Sequence, residues 1–221
     1  MPSSRSGWKK SRILIVDDHP IVRRGLRELI DDEPDFEVSG EAEDVDDALR
    51  MVERLSPDVV IVDLSLKESH GIDLIQALKA RGEKPKTLVS TMHDELLFAE
   101  RVLRAGASGY VSKKELPETI IVAVRQILRG ETYLSEAVAK RLALRRRIGD
   151  VASDPISTLS NRELTVFEML GRGLATKQIA HRLELSQKTV ETYRENIKVK
   201  LKLRNSSELS RQATQWVLEN G

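Results

Sequence analysis

Five side chains able to do chemistry stand where short apolar runs stop. Asp17 and Asp18 follow Arg12–Val16, Asp63 follows Asp58–Val62, Thr91 follows Thr87–Ser90, and Lys113 follows Ser108–Val111. If the first and third runs lie side by side, three carboxylates converge. Two such charges about 4 Å apart repel by about 4 kcal/mol at an effective dielectric near 20. A hard divalent cation relieves that conflict, and Mg²⁺ favours one or two carboxylates together with waters and phosphate oxygens. A carboxylate beside Mg²⁺, with an ammonium and a hydroxyl close by, is a site for accepting a phosphoryl group. The cation and the lysine neutralise the transferring oxygens, and a carboxylate is the nucleophile. Any single strand-end Asp is equally at home as a turn former. All five in order at successive run ends favour the chemical reading.

The elements that must hold these residues are legible in the pattern. β-branched runs alternate with helical periodicity five times, the helices expected at Pro20–Asp31, Val45–Leu55, Ile72–Lys79, Glu95–Arg104 and Glu118–Leu128, with a second strand at Phe36–Ser39. In the first helix Ile21, Val22, Leu26, Leu29 and Ile30 share the apolar face. Gly82, Gly106 and Gly130 punctuate helix ends, and Pro20 and Pro117 suit first-turn positions. Continuous apolar strands alternating with helices imply a parallel sheet covered on both faces, and right-handed crossovers make it doubly wound. Ligand sites in such sheets form beyond the carboxyl ends of the strands, where these five residues stand.

Composition narrows the rest. With 221 residues the chain has room for one large domain or two small ones. It has no Cys, which excludes disulfides, thiolate zinc sites and Cys nucleophiles. Aromatics at 4% speak against a stacking platform for single strands. The apolar runs fall far short of the roughly 20 residues of a membrane helix, and no signal peptide is visible, so a cytoplasmic protein with no membrane partner is expected. The near-neutral total hides an asymmetry. Residues 11–130 hold 17 Lys and Arg against 24 Asp and Glu, whereas residues 155–221 hold 11 against 7. An acidic half followed by a basic half predicts two domains with different partners.

The first half resembles the receiver domain of two-component response regulators, through IVDDHP (15–20), VIVDLSL (60–66), Gly71, STMH (90–93) and GASGYVSK (106–113). The resemblance implies a flavodoxin-like fold in which Asp63 is phosphorylated. It also implies Mg²⁺ held by Asp18, by Asp17 partly through water, by Asp63 and by the Ser65 main-chain carbonyl. Thr91 and Lys113 would bind the phosphoryl oxygens, and Tyr110 would be the aromatic that changes rotamer on activation. Lys67 departs from the family, which usually has Pro there.

The second half reads as a small all-α unit. Ser135–Arg147 forms a helix ending in the basic run Arg145, Arg146 and Arg147, and weakly periodic residues follow to 158, as in a linker. Ser160 to Glu163 is a capping box ahead of an apolar face of Leu164, Phe167 and Leu170. Thr176–Leu183, the turn Glu184-Leu185-Ser186 and Gln187–Leu201 then describe a helix-turn-helix, with a last helix near 207–219 carrying Trp216. At 100° per residue Val190, Ile197 and Leu201 share one line and must face a core. Lys188, Thr192, Glu195 and Val199 lie opposite, with Glu191 on the shoulder. Acid, hydroxyl and base near a helix start can read a major groove, while Arg194, Lys198 and Lys200 suit phosphates. The charged face of a partner-binding bundle is the competing reading of the same pattern.

Residues 159–205 also resemble the LuxR-type DNA-binding domain, with Glu163, Gly173, Ile179, Ser186, Thr189 and Val190 among the matches; acidic Glu191 and Glu195 differ from the basic residues of some relatives. Together the two halves resemble a response regulator of the NarL/FixJ class. That resemblance implies a receiver (12–130) and a LuxR-type helix-turn-helix domain (159–221); the residues between them read as a helical linker (131–158), and the basic start (1–11) as a disordered tail. DNA contacts are expected from Lys188, Thr189, Glu191, Thr192, Arg194, Glu195, Lys198 and Lys200. The partners implied are double-stranded DNA, a cognate sensor histidine kinase and a second copy of the chain when active, with RNA polymerase a further candidate. Trp216 on the last helix reads either as the dimer contact of the DNA-binding domain or as ordinary core. The implied protein is a regulator and not an enzyme. A phosphorylation-independent DNA binder and an Mg²⁺-dependent phosphohydrolase are the alternatives.

Overall fold

A computed structural model describes residues 9–66, 69–82, 85–93, 95–148 and 155–220, the side chains of 145–148 and 220 excepted. Lys67, most of the basic tail, part of the linker and the side chains of Arg145 to Arg147 lie outside the described residues. Two compact units result, one built on a sheet and one on the C-terminal helices.

In chain order the first part of the sequence alternates β1 (Ser11–Val16), α1 (Pro20–Asp31), β2 (Phe36–Ala42), α2 (Val45–Leu55), β3 (Val59–Val62), α3 (Gly71–Ala80), β4 (Lys86–Thr91), α4 (Glu95–Ala105), β5 (Gly109–Ser112) and α5 (Glu118–Leu128). The strands are parallel in the order β2-β1-β3-β4-β5. The order reverses between β1 and β3, and this switch point sets Val16 level with Val62. Alternate strand residues Ile13, Ile15, Val59, Ile61 and Leu88 pack with α1 and α5 in one apolar layer. Along α1 the outcome differs from the sequence expectation at two positions. Ile21 is 88% exposed, while Arg23 is buried beside Leu26 and Ile30. Ile21 lies on the opposite flank of α1 from Ile30, and Arg23 enters because carboxylates on β2 and the loop after it meet its guanidinium.

The helical unit begins with α6 (Glu136–Ile148). A 3-10 turn (Pro155–Thr158) then precedes α7 (Asn161–Gly171), α8 (Thr176–Arg182), α9 (Gln187–Leu201) and α10 (Ser206–Asn220). The capping box forms as expected, Ser160 Oγ accepting from the Glu163 N–H and Glu163 Oε2 from the Ser160 N–H. Leu164, Phe167, Leu170, Ile179, Val190, Ile197, Leu201, Leu209 and Ala213 make the core, and Ile156 of the 3-10 turn joins the buried set. Trp216 is half-buried against Phe167, ring centroids 5.6 Å apart. Gly171 lets α7 and α10 touch, since a Cβ there would sit 2.6 Å from Val217 Cγ2 and collide with the Ala213 carbonyl.

Candidate acidic site and recognition helix

Strand neighbours place the acids. Asp63 donates its N–H to the Val16 carbonyl (2.9 Å) and Asp17 donates its own to the Ala42 carbonyl (3.1 Å), so both leave the sheet at one edge. Lys113 arrives by the same logic, its N–H donating to the Thr91 carbonyl at 2.8 Å. Its ammonium then donates to Asp17 Oδ2 and to Asp63 Oδ2, each at 2.6 Å. All three side chains are largely buried. Burial alone would depress the Lys113 ammonium, but the charges of Asp63 and Asp17 outweigh it and hold its pKa above the ordinary value.

Asp18 completes the cluster. Its pKa is raised, first by burial and further by the Asp17 and Asp63 carboxylates, against the pull of His19. Its Oδ1 lies 2.6 Å from His19 Nδ1, yet this buried oxygen has no hydrogen bond among the described residues, the approach being off the bonding direction. One ligand atom from each of Asp17, Asp18, His19 and Asp63 falls within 4.8 Å of the others. Hard carboxylate oxygens, one of them without a donor, fit a hard divalent cation.

Of the expected site residues, Asp17, Asp18, Asp63 and Lys113 come together directly. Ser65 follows in the loop after β3, its N–H donating to Asp63 Oδ1 at 3.3 Å. Thr91 is buried at the end of β4, its hydroxyl accepting from the His93 N–H at 3.4 Å. Tyr110 is fully buried and donates its hydroxyl to the His93 carbonyl at 2.8 Å. Gly71 allows α3 to start against the acid-bearing strand, because a Cβ there would collide with the Asp63 carbonyl.

Sequence reasoning missed three participants. His19 donates its N–H to Asp17 Oδ1 (2.9 Å); its place directly after the acid pair was the available signal. Arg23 donates to the Asp17 carbonyl (2.6 Å), to Glu41 (3.2 Å) and to Glu43 (2.6 Å), bracing the loop that carries the acids. Its spacing was the signal, since it stands three and seven residues before Leu26 and Ile30 and so at the edge of the apolar helix face. His93 pairs its ring Nε2 with the Ser65 hydroxyl at 2.9 Å; its place in STMH (90–93), directly after the strand end that carries Thr91, was the available signal.

In the helical unit Ser186 caps α9, accepting from the Thr189 N–H at 3.0 Å. Lys188, Glu191, Thr192 and Glu195 are exposed, as is Val199. The three cations expected to serve phosphates have carboxylate partners within the chain. Lys200 reaches Glu163 Oε2 (2.6 Å), Lys198 reaches Glu195 Oε1 (2.9 Å), and Arg194 reaches Glu191 Oε1 (3.1 Å) and Thr176 Oγ1 (2.6 Å). Burial would raise the Glu163 pKa, but Lys200 and the Ser160 cap together leave it lowered.

A parallel α/β unit with a lysine-bridged acid cluster, followed by a helix-turn-helix, defines a class of two-part regulators. Residues 13–125 match the response regulator receiver domain, and residues 157–213 match the bacterial regulatory proteins of the luxR family. The chain is 37% identical over 194 residues to the nitrate/nitrite response regulator protein NarP of Escherichia coli (strain K12), spanning 88% of this chain and 90% of that one. It is 32% identical over 208 residues to the response regulator UvrY of the same strain, spanning 94% and 95%. Among solved structures, RcsB from Salmonella enterica serovar Typhimurium, bound to promoter rprA in the presence of phosphomimetic BeF3-, superposes with a TM-score of 0.59 at 26% identity, over 93% of this chain and 99% of that one. The chain belongs to the response regulators of the NarL/FixJ class, with a receiver domain and a LuxR-type DNA-binding domain. No helix among the described residues is long and apolar enough to cross a membrane.

Proposed function

We propose that the chain is a cytoplasmic transcription regulator switched by phosphorylation of Asp63. The observation that carries this is the Lys113 ammonium, 2.6 Å from both Asp17 and Asp63, beside an Asp18 oxygen that accepts no hydrogen bond among the described residues. The ammonium marks where the transferred oxygens would sit. Asp17, Asp18, Asp63 and the Ser65 carbonyl would hold Mg²⁺, which supplies charge neutralisation for the incoming phosphoryl oxygens. An Asp63 carboxylate oxygen attacks phosphorus. The bond from phosphorus to the donor nitrogen of a sensor histidine kinase, or to the acyl oxygen of a small phosphodonor, breaks as the new one forms. Asp63 then carries a group of charge about −2 with three acceptor oxygens. Lys113 turns from the paired carboxylates toward it, and Thr91 supplies a hydroxyl donor. Tyr110, tied to the His93 carbonyl, carries the change to the surface after β4.

The receiver spans 12–130 and, through a linker over 131–158, controls a DNA-binding domain over 159–221. Dimerisation sets two copies of α9 in successive major-groove half-sites of double-stranded DNA, and doubling the contacts raises affinity. Lys188, Glu191, Thr192 and Glu195 face base edges, with Thr189 beside them, while Lys198 serves a phosphate and Arg194 and Lys200 hold the helix in place. The chain has no catalytic turnover of its own in this reading.

Intact mass spectrometry after acetyl phosphate and Mg²⁺ tests the proposal. The wild-type chain gains one phosphoryl group, and neither Asp63→Asn nor chelated wild type does. Equal labelling of Asp63→Asn would refute Asp63 as the acceptor. Sedimentation with and without BeF3- measures the dimer, which forms only in its presence.

A further inference from the structure

We propose that Glu191, held by Thr176 and Arg194, is the acceptor through which this chain selects a cytosine in its DNA half-site; the inference rests on the DNA-binding reading above. Glu191 lies in the second turn of α9, about 100° from the line of Val190, Ile197 and Leu201 that faces the core, and its side chain is 50% exposed. Its Oε1 accepts from Thr176 Oγ1 at 2.7 Å and from Arg194 Nη1 at 3.1 Å. The ring closes because Arg194 Nη1 also donates to Thr176 Oγ1 at 2.6 Å. Thr176 opens α8 and Arg194 is 17% exposed, so the carboxylate is pinned between the two helices of the helix-turn-helix rather than free in solvent. Its Oε2 accepts no hydrogen bond among the described residues.

A fixed carboxylate at this place is a demanding reader. It can only accept, and it approaches a polyanion; Arg194 cancels the charge locally and leaves the direction of Oε2 intact. In the major groove guanine presents two acceptors and thymine an acceptor with a methyl group, so both repel or ignore it. Adenine offers its N6 amino group beside the N7 acceptor, which opposes a second negative atom. Cytosine offers its N4 amino group with no competing acceptor of its own. The chemistry therefore singles out cytosine at one position per half-site. Thr176 acts as a positioning residue: without its hydroxyl the carboxylate keeps its charge but loses its direction.

The test is selection from a random-sequence duplex library by the full chain in the presence of BeF3-, followed by sequencing. Wild type enriches cytosine over other bases at one half-site position by about tenfold. Glu191→Ala flattens that position alone. Glu191→Gln moves it toward adenine, because an amide can donate to N7 while accepting from N6. Thr176→Val lowers the cytosine preference and leaves the other positions as they were. Superimposable base preferences for wild type and both Glu191 variants overturn the proposal, as does a response at a position where wild type prefers guanine or thymine. Failure of wild type to enrich any sequence overturns the DNA-binding reading itself, a separate result.

Discussion

Lys200 separates two ways of using a cation on a recognition helix. By position it suits a DNA phosphate, yet in the fold its ammonium sits 2.6 Å from Glu163 Oε2. At that separation the pair attracts by about 6 kcal/mol at an effective dielectric near 20. Much of this is offset by removing the Glu163 carboxylate from water, its side chain being 5% exposed, and the partly open Lys200 end, at 37%, is screened further. Lys200→Met leaves Glu163 buried with the Ser160 N–H as its remaining donor of the two (2.6 Å). We expect a loss of about 2 kcal/mol, below the 3–5 kcal/mol typical of a fully buried pair. The assay is urea unfolding of the full chain in a Trp8→Phe background, where Trp216, packed on Phe167, reports on the helical unit. Glu163→Gln with Lys200→Met closes a double-mutant cycle with coupling of about 1 kcal/mol. On a nonspecific duplex, where the exposed Lys188 meets a phosphate instead of a base edge, the slope of log affinity against log salt changes little in Lys200→Met and drops by about 1 in Lys188→Ala. A Lys200→Met chain with unchanged unfolding midpoint and a slope reduced by about 1 would refute this assignment.

Three further outcomes follow from single contacts. Acid should weaken the same pair: the folded pKa of Glu163 is lowered, so its contribution is complete above the ordinary glutamate value and lost as pH falls through the folded value. Urea titrations between about pH 6 and pH 3 should therefore show a smaller acid loss in Glu163→Gln than in wild type. Gly171→Ala should cost about 1–3 kcal/mol in the Trp216 unfolding assay, because its Cβ meets Ala213 and Val217; a neutral result would deny the close approach of α7 and α10. Tyr110→Phe removes the buried donor to the His93 carbonyl and should lower receiver stability by about 1–2 kcal/mol in thermal melts, with the sheet's circular dichroism otherwise unchanged.

The elements and the order of the acids were determined by the sequence alone. Alternating apolar runs and amphipathic stretches specify a parallel sheet, and a parallel sheet delivers every strand's carboxyl end to one edge. Asp17, Asp18, Asp63, Thr91 and Lys113 had to gather there, whatever the details of packing. Helix periodicity likewise put Val190, Ile197 and Leu201 inward, where they are. Tertiary structure decided which charge meets which. Arg23 turned inward because Glu41, Glu43 and the Asp17 carbonyl receive it, while Ile21 was left in water. Lys200 found Glu163 across 37 residues, and Arg194 found Thr176 across 18. The reason is physical. Periodicity fixes the angle of a side chain about its own helix axis, whereas an ion pair depends on the distance to a group on another element, and only the packed chain defines that distance.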